Sequence, residues 1–205
     1  MIIRWIVWIC LLLLGTSTID ANTTVHRFAL VAGTNFGGAE REPLRYAVSD
    51  AERFIRIFEE MGGIAKDDYT LLREPNIEDF QSALNTLQDR VATTKKSEGR
   101  VEVIFYYSGH ADEEGLLLGE NRLSYRSLRD KMDNITADVH ITILDACASG
   151  AITRLKGGQR QQAFMVDASS DMKGYAFLTS SSENEAAQES DRIRGSFFTH
   201  FLISG

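Results

Sequence analysis

The sequence holds only two prolines and two cysteines, and its 22 Lys+Arg fall short of its 29 Asp+Glu, a net charge of −7. Two prolines leave little material for a stiff linker between separate domains. Two cysteines cannot build a disulfide scaffold. The four histidines, at 26, 110, 140 and 200, show no short metal-ligand spacing with one another or with either cysteine, which argues against a structural zinc site. The acidic balance argues against a nucleic-acid partner, since that affinity rests on Lys and Arg neutralising phosphates and no basic stripe compensates. What is present is globular: 43% hydrophobic and 25% charged residues over 205 positions, suited to one domain with a full core.

Arg4 precedes an uninterrupted apolar run from Trp5 to Leu14, followed by small and polar residues from Gly15 to Thr18. This pattern predicts a secretory signal over residues 1–21, cut between 17 and 21, because ten apolar residues at ~1.5 Å each fall short of a ~30 Å bilayer core. The alternative is an uncleaved membrane anchor. The expected location is secreted or periplasmic, with membrane attachment only if the segment is retained. Cys10 reads as apolar filler. Once the segment is removed, Cys147 is the single cysteine of a chain in an oxidising compartment, and a lone thiol there needs a reason.

Beyond residue 26, continuous apolar runs alternate with amphipathic stretches. Arg27 to Gly33 reads as a strand buried on both faces, and the apolar positions from Leu44 to Met61 step by three and four as one helix stopped by Gly62-Gly63. Tyr69 to Leu72 suits a short strand. Asn76 caps a second helix with Ile77, Phe80, Leu84, Leu87 and Val91 on one face. Val101 to Tyr107 and His140 to Leu144 are further strands, with a short helix between them capped by Ser124. Residues 151–173 form a long polar loop, Gly174 to Thr179 a fifth strand, and Ile193, Phe197, Phe198, Phe201 and Leu202 a final helix. Strands alternating with helices mean an α/β fold on a parallel sheet, one domain over 26–205.

In such sheets chemistry collects beyond the carboxyl ends of the strands. Two ends stand out. Tyr106-Tyr107-Ser108-Gly109-His110 places an imidazole past one buried strand, and Asp145-Ala146-Cys147-Ala148-Ser149-Gly150 places the thiol past another. If the strands pair, their ends lie ~4.8 Å apart, and an imidazole beside a thiol can take its proton and make a nucleophile. Small neighbours leave the sulfur open to approach. Asp112-Glu113-Glu114 reads as a turn, not a metal site, and no cofactor is expected.

Those two motifs resemble the histidine and cysteine motifs of caspase-like cysteine peptidases, in the metacaspase and bacterial caspase-homologue branch. Leu30 to Asn35 and the Ser49-Asp50-Ala51 helix share the resemblance, which spans residues 26–205. It implies a mostly parallel sheet flanked by helices in three αβα layers, and a domain that continues past the last helix with a sixth strand, so the chain ending at Gly205 is expected to lack its last strand. It implies that Cys147 attacks the scissile carbonyl and His110 protonates the leaving amine. The oxyanion would rest on the backbone N–H groups of Cys147 and Ala111, although that second position is usually glycine. Asp145 stands where animal caspases carry glutamine. With Asp50 it would line an acidic pocket that accepts Arg or Lys at P1, so the expected partner is a protein or peptide substrate with a basic residue there. Lys156 and Arg160, in the long loop, are candidate self-cleavage positions. The alternative is a non-catalytic module that keeps the fold for binding or scaffolding.

Overall fold

The computed structural model describes residues 24–96, 99–147, 174–180 and 188–205. The elements run β1 (Val25–Gly33), α1 (Ala47–Glu60), β2 (Tyr69–Arg73), α2 (Ile77–Thr94), β3 (Arg100–Ser108), β4 (Gly115–Leu118), β5 (Asn121–Ser124), α3 (Tyr125–Asp133), β6 (Val139–Asp145), β7 (Gly174–Thr179), β8 (Glu189–Ser190), β9 (Gly195–Ser196) and α4 (Phe197–Ser204). Five strands make one parallel sheet in the order β2-β1-β3-β6-β7.

The two-residue side-chain period of a strand explains how the sheet holds its helices. Phe28, Leu30 and Ala32 of β1 and Val103, Phe105 and Tyr107 of β3 face one way, onto Phe80, Leu84, Leu87 and Val91 of α2 and Leu128 and Met132 of α3. Ala29, Val31, Ile104 and Tyr106 face the other way, onto Ala51, Phe54 and Ile55 of α1, with Phe198 and Leu202 of α4 packed against them. Strands covered on both sides have no polar face to show, which is why their sequences are nearly continuous apolar runs. The expected three-layer α/β architecture is the one observed.

Asn76 caps α2 as expected. Its side chain accepts from the Asp79 N–H at 2.8 Å while Asp79 bonds back to the Asn76 N–H at 3.3 Å. Three details differ from the sequence reading. Helix α1 begins at Ala47 rather than Leu44, because the preceding segment is held in a loop by the Leu44 N–H donating to the Asn35 carbonyl. Ile193 lies outside α4: Arg194 takes a left-handed φ of 52°, and the Ser196 side chain, accepting from the Thr199 N–H at 2.9 Å, opens the helix at Phe197. The stretch from Gly115 to Ser124 is an antiparallel hairpin that the sequence reading did not place. The N-terminal segment 1–21 and the loop 151–173, with Lys156 and Arg160, lie outside the described residues.

Candidate active site

After β1 the chain crosses to β2 on one side, whereas β3 pairs with β1 on the other, so loops diverge from the carboxyl ends of β1 and β3 and leave a crevice between them. The register at the next pair is parallel, with Ser108 of β3 opposite Asp145 of β6, and the Gly109 N–H extends it by donating to the Asp145 carbonyl at 3.1 Å. His110 and Cys147 therefore each stand two residues past a matched position. Both line one cavity of about 60 Å³, together with Asp145, Gln188, Glu189 and Ser196.

The imidazole is held by the loop that follows β1. His110 Nε2 lies 3.1 Å from the Glu42 carbonyl oxygen, which can only accept, so Nε2 carries the proton and Nδ1 of the neutral ring is the free base. Pro43 restricts Glu42 to extended backbone and so helps to fix that carbonyl. Gly37 lies against the ring: a Cβ built there would fall 2.3 Å from His110 Cδ2, so only a glycine backbone can approach this closely. Burial, with the Arg41 charge adding to it, lowers the His110 pKa, which favours the neutral ring at physiological pH.

Cys147 is a free thiol, partly buried. Ala111 has a negative φ, since among the described residues only Glu74 and Arg194 are non-glycine residues with positive φ, so alanine fits there without strain. It pairs with Leu116 in a bridge whose flanking bonds run from the Leu117 N–H to the His110 carbonyl and from the Asp112 N–H to the Gly115 carbonyl. The hairpin therefore does not consume the Ala111 N–H. Asp112 is occupied in that turn. It accepts from the backbone of Glu114 and Gly115 and pairs with Arg122, and no group of three or more potential metal ligands occurs among the described residues.

The two aspartates meet at the start of α4. Asp50 is 1% exposed and accepts the Ser196 N–H at 2.8 Å, with Arg53 at 3.7 Å. A side chain at Gly195 would put a carbon 2.5 Å from Asp50 Oδ1, so glycine is what lets the carboxylate come this close. Asp145 Oδ2 accepts from the Ser196 hydroxyl and, at 2.6 Å, from the Thr199 hydroxyl. With its proton spent there, Thr199 accepts in turn from the buried Tyr106 hydroxyl. Asp145 Oδ1 is buried with no hydrogen-bond partner among the described residues. Burial pushes the Asp50 carboxyl up to about 7, opposed by the Ser196 N–H and reinforced by the Asp145 charge. Burial raises Asp145 as well, against the hydrogen bonds from Ser196 and Thr199.

Of the residues singled out in the sequence, the structure brings His110, Cys147 and Asp145 to one cavity, joins Asp50 to Asp145 through Ser196, and sets Ala111 next to His110. Glu42, Ser196, Thr199 and Glu189, which the structure places around them, were not singled out. For Ser196 there was a signal, a Ser-x-x-Thr step opening an apolar run. The others act through backbone groups or across long separations, for which the sequence carries no local mark.

The family model described as the caspase domain matches residues 26–205. Among solved structures, the crystal structure of caspase-1 from Spodoptera frugiperda superposes with a TM-score of 0.58 at 14% sequence identity, covering 90% of this chain and 71% of that one. No curated protein matches the sequence.

Proposed function

Because the chain belongs to the caspase domain family, whose members are cysteine peptidases, we propose that it is a cysteine endopeptidase cutting after arginine or lysine. The observation that carries this reading is the meeting of His110 and Cys147, past the ends of adjacent in-register strands, around a cavity lined by a buried carboxylate with one oxygen unpartnered among the described residues. His110 Nδ1 takes the Cys147 proton, and the sulfur attacks the scissile carbonyl carbon. The N–H groups of Ala111 and Cys147 receive the negative charge that develops on the carbonyl oxygen. The imidazolium then returns its proton to the leaving amine, and water, deprotonated by the same ring, releases the acid product and restores the thiol.

The acidic floor supports the choice of P1 residue. Asp145 Oδ1 has no donor among the described residues, Asp50 lies behind the shared Ser196, and Glu189, whose carboxylate accepts from the Arg45 and Tyr46 N–H groups at 2.9 Å each, lines the same cavity. A guanidinium or ammonium would supply the missing hydrogen bonds and charge, whereas an acidic side chain would be buried against carboxylates without a partner. Paired fluorogenic peptides differing only in Arg or Asp at P1 test this reading. The Arg peptide should be cut by the wild type and not by Cys147→Ala of unchanged circular dichroism. Turnover surviving in that variant, or a preference for the Asp peptide, overturns it; a folded wild type inert towards both would leave a binding module.

A further inference from the structure

We propose that Glu74, at the carboxyl end of β2, is a positioning residue for His110; the role rests on the catalytic reading above. Glu74 holds a left-handed φ of 48°, a conformation that a residue with a Cβ adopts at a cost and that glycine or asparagine would take more readily. Its N–H continues the sheet by donating to the Gly33 carbonyl at 2.9 Å. That sharp turn aims the side chain at the loop leaving β1. The carboxylate there accepts three hydrogen bonds, from the Thr34 hydroxyl at 2.8 Å, the Asn35 N–H at 2.8 Å and the Phe36 N–H at 3.3 Å.

The three donors immediately precede Gly37, whose backbone lies on the imidazole face. The same loop then carries Glu42, whose carbonyl fixes the ring tautomer. The loop has no secondary structure to hold it, and charge-assisted bonds to one carboxylate supply what a strand would otherwise give. A strained residue persists only where its surroundings require it, and what is required here is the carboxylate, since glycine would satisfy the backbone alone. Glu74 thus acts on the reaction through Gly37 and Glu42 without touching substrate.

Glu74→Gly separates the two needs, because it keeps the left-handed backbone and removes only the clamp. The full chain carrying it should melt within a few degrees of wild type. Its kcat on the Arg peptide should fall about 10- to 100-fold while KM stays within about twofold, the signature of a misplaced base rather than lost substrate contacts. Gly37→Ala, which leaves the clamp intact but pushes a methyl into the ring, should show the same split. Alkylation of Cys147 by iodoacetamide near neutral pH separates the possible failures. If His110→Ala alkylates as fast as wild type, the dyad itself is absent and both proposals fall. If His110→Ala is slower but Glu74→Gly matches wild type in alkylation and kcat, the positioning role alone is overturned. It is likewise overturned if the activity and melting temperature of Glu74→Gly decline together.

Discussion

Replacing Asp50 by asparagine should change how stability depends on pH more than it changes stability itself. Burial raises the folded carboxyl to about 7 from an ordinary 3.8. Between those values the folded protein keeps a proton that the unfolded chain has released, so this group makes stability fall as pH rises, the reverse of the usual carboxylate in an ion pair. At about 1.4 kcal/mol per pH unit the full effect is at most about 4 kcal/mol. Relaxation and water penetration around a buried carboxyl discount this, so roughly half, about 2 kcal/mol, is the expected size. Asparagine keeps an oxygen for the Ser196 N–H and does not titrate. Urea denaturation of both proteins at intervals from about pH 4 to about pH 8 gives the difference directly, and the similarly raised Asp145 is common to both and largely cancels. Asp50→Asn should gain about 2 kcal/mol on wild type across that range, most of it between about pH 4 and about pH 7. Parallel curves, or a wild type that grows more stable relative to the variant as pH rises, would show that Asp50 ionises normally and that its burial is not felt as a charge penalty.

The same titration should appear in catalysis: under the proposed specificity a P1 cation binds best to the ionised pocket, so KM for an Arg peptide should fall as pH rises towards about 7 and level off above it, and a flat KM would separate Asp50 from the pocket. Ser196→Ala removes both the cap on Thr199 and a donor to Asp145. It should cost about 2 to 3 kcal/mol in urea denaturation, and a loss under about 0.5 kcal/mol would mean that the network carries little. If the 151–173 loop is processed by the enzyme itself, mass spectrometry should find cuts after Lys156 or Arg160 in wild type and none in Cys147→Ala; equal nicking in both assigns the cuts to another protease.

The parts of this molecule that could be read from the sequence are those whose physics is local. Continuous apolar runs marked β1, β3 and β6, because strands covered on both faces leave no alternation to confuse. Asn76 with Asp79 marked the start of α2, because a capping box is complete within one turn. The hairpin Gly115–Ser124 was missed because Leu116-Leu117-Leu118 is too short a run to show a period, and all three side chains are buried. Ile193 was drawn into the last helix because it stands four positions before Phe197, a spacing that is helical by coincidence when Arg194 turns left-handed. At the site, His110 and Cys147 were legible from their strand ends. Ser196 was not placed with Asp145, since 51 residues separate the partners and only the folded sheet brings them together. Glu74 gave no sign at all: a glutamate after a strand is ordinary until its backbone angle and three donors are seen.

The matched offset of His110 and Cys147 from the Ser108 and Asp145 pair has a consequence for how this chain tolerates change in length. The distance between imidazole and sulfur is set by strand register and by two short overhangs of equal length, and not by the length of the connection, 28 residues from Ala111 to Asp138, that leads from His110 to β6. Residues added at the hairpin turn by Gly119, where a Cβ would meet nothing within 4 Å, lengthen that path without altering the register, provided that Glu120 keeps its bond from the Ala39 N–H. One residue added between Ser108 and His110, or between Asp145 and Cys147, swings a reacting group to the opposite side of its strand end, since side chains alternate at every step. Length variation between the two motifs is thus cheap at the hairpin turn, costly where Leu116, Leu128 and Met132 sit in the core, and ruinous for the site at two points, each only two residues long.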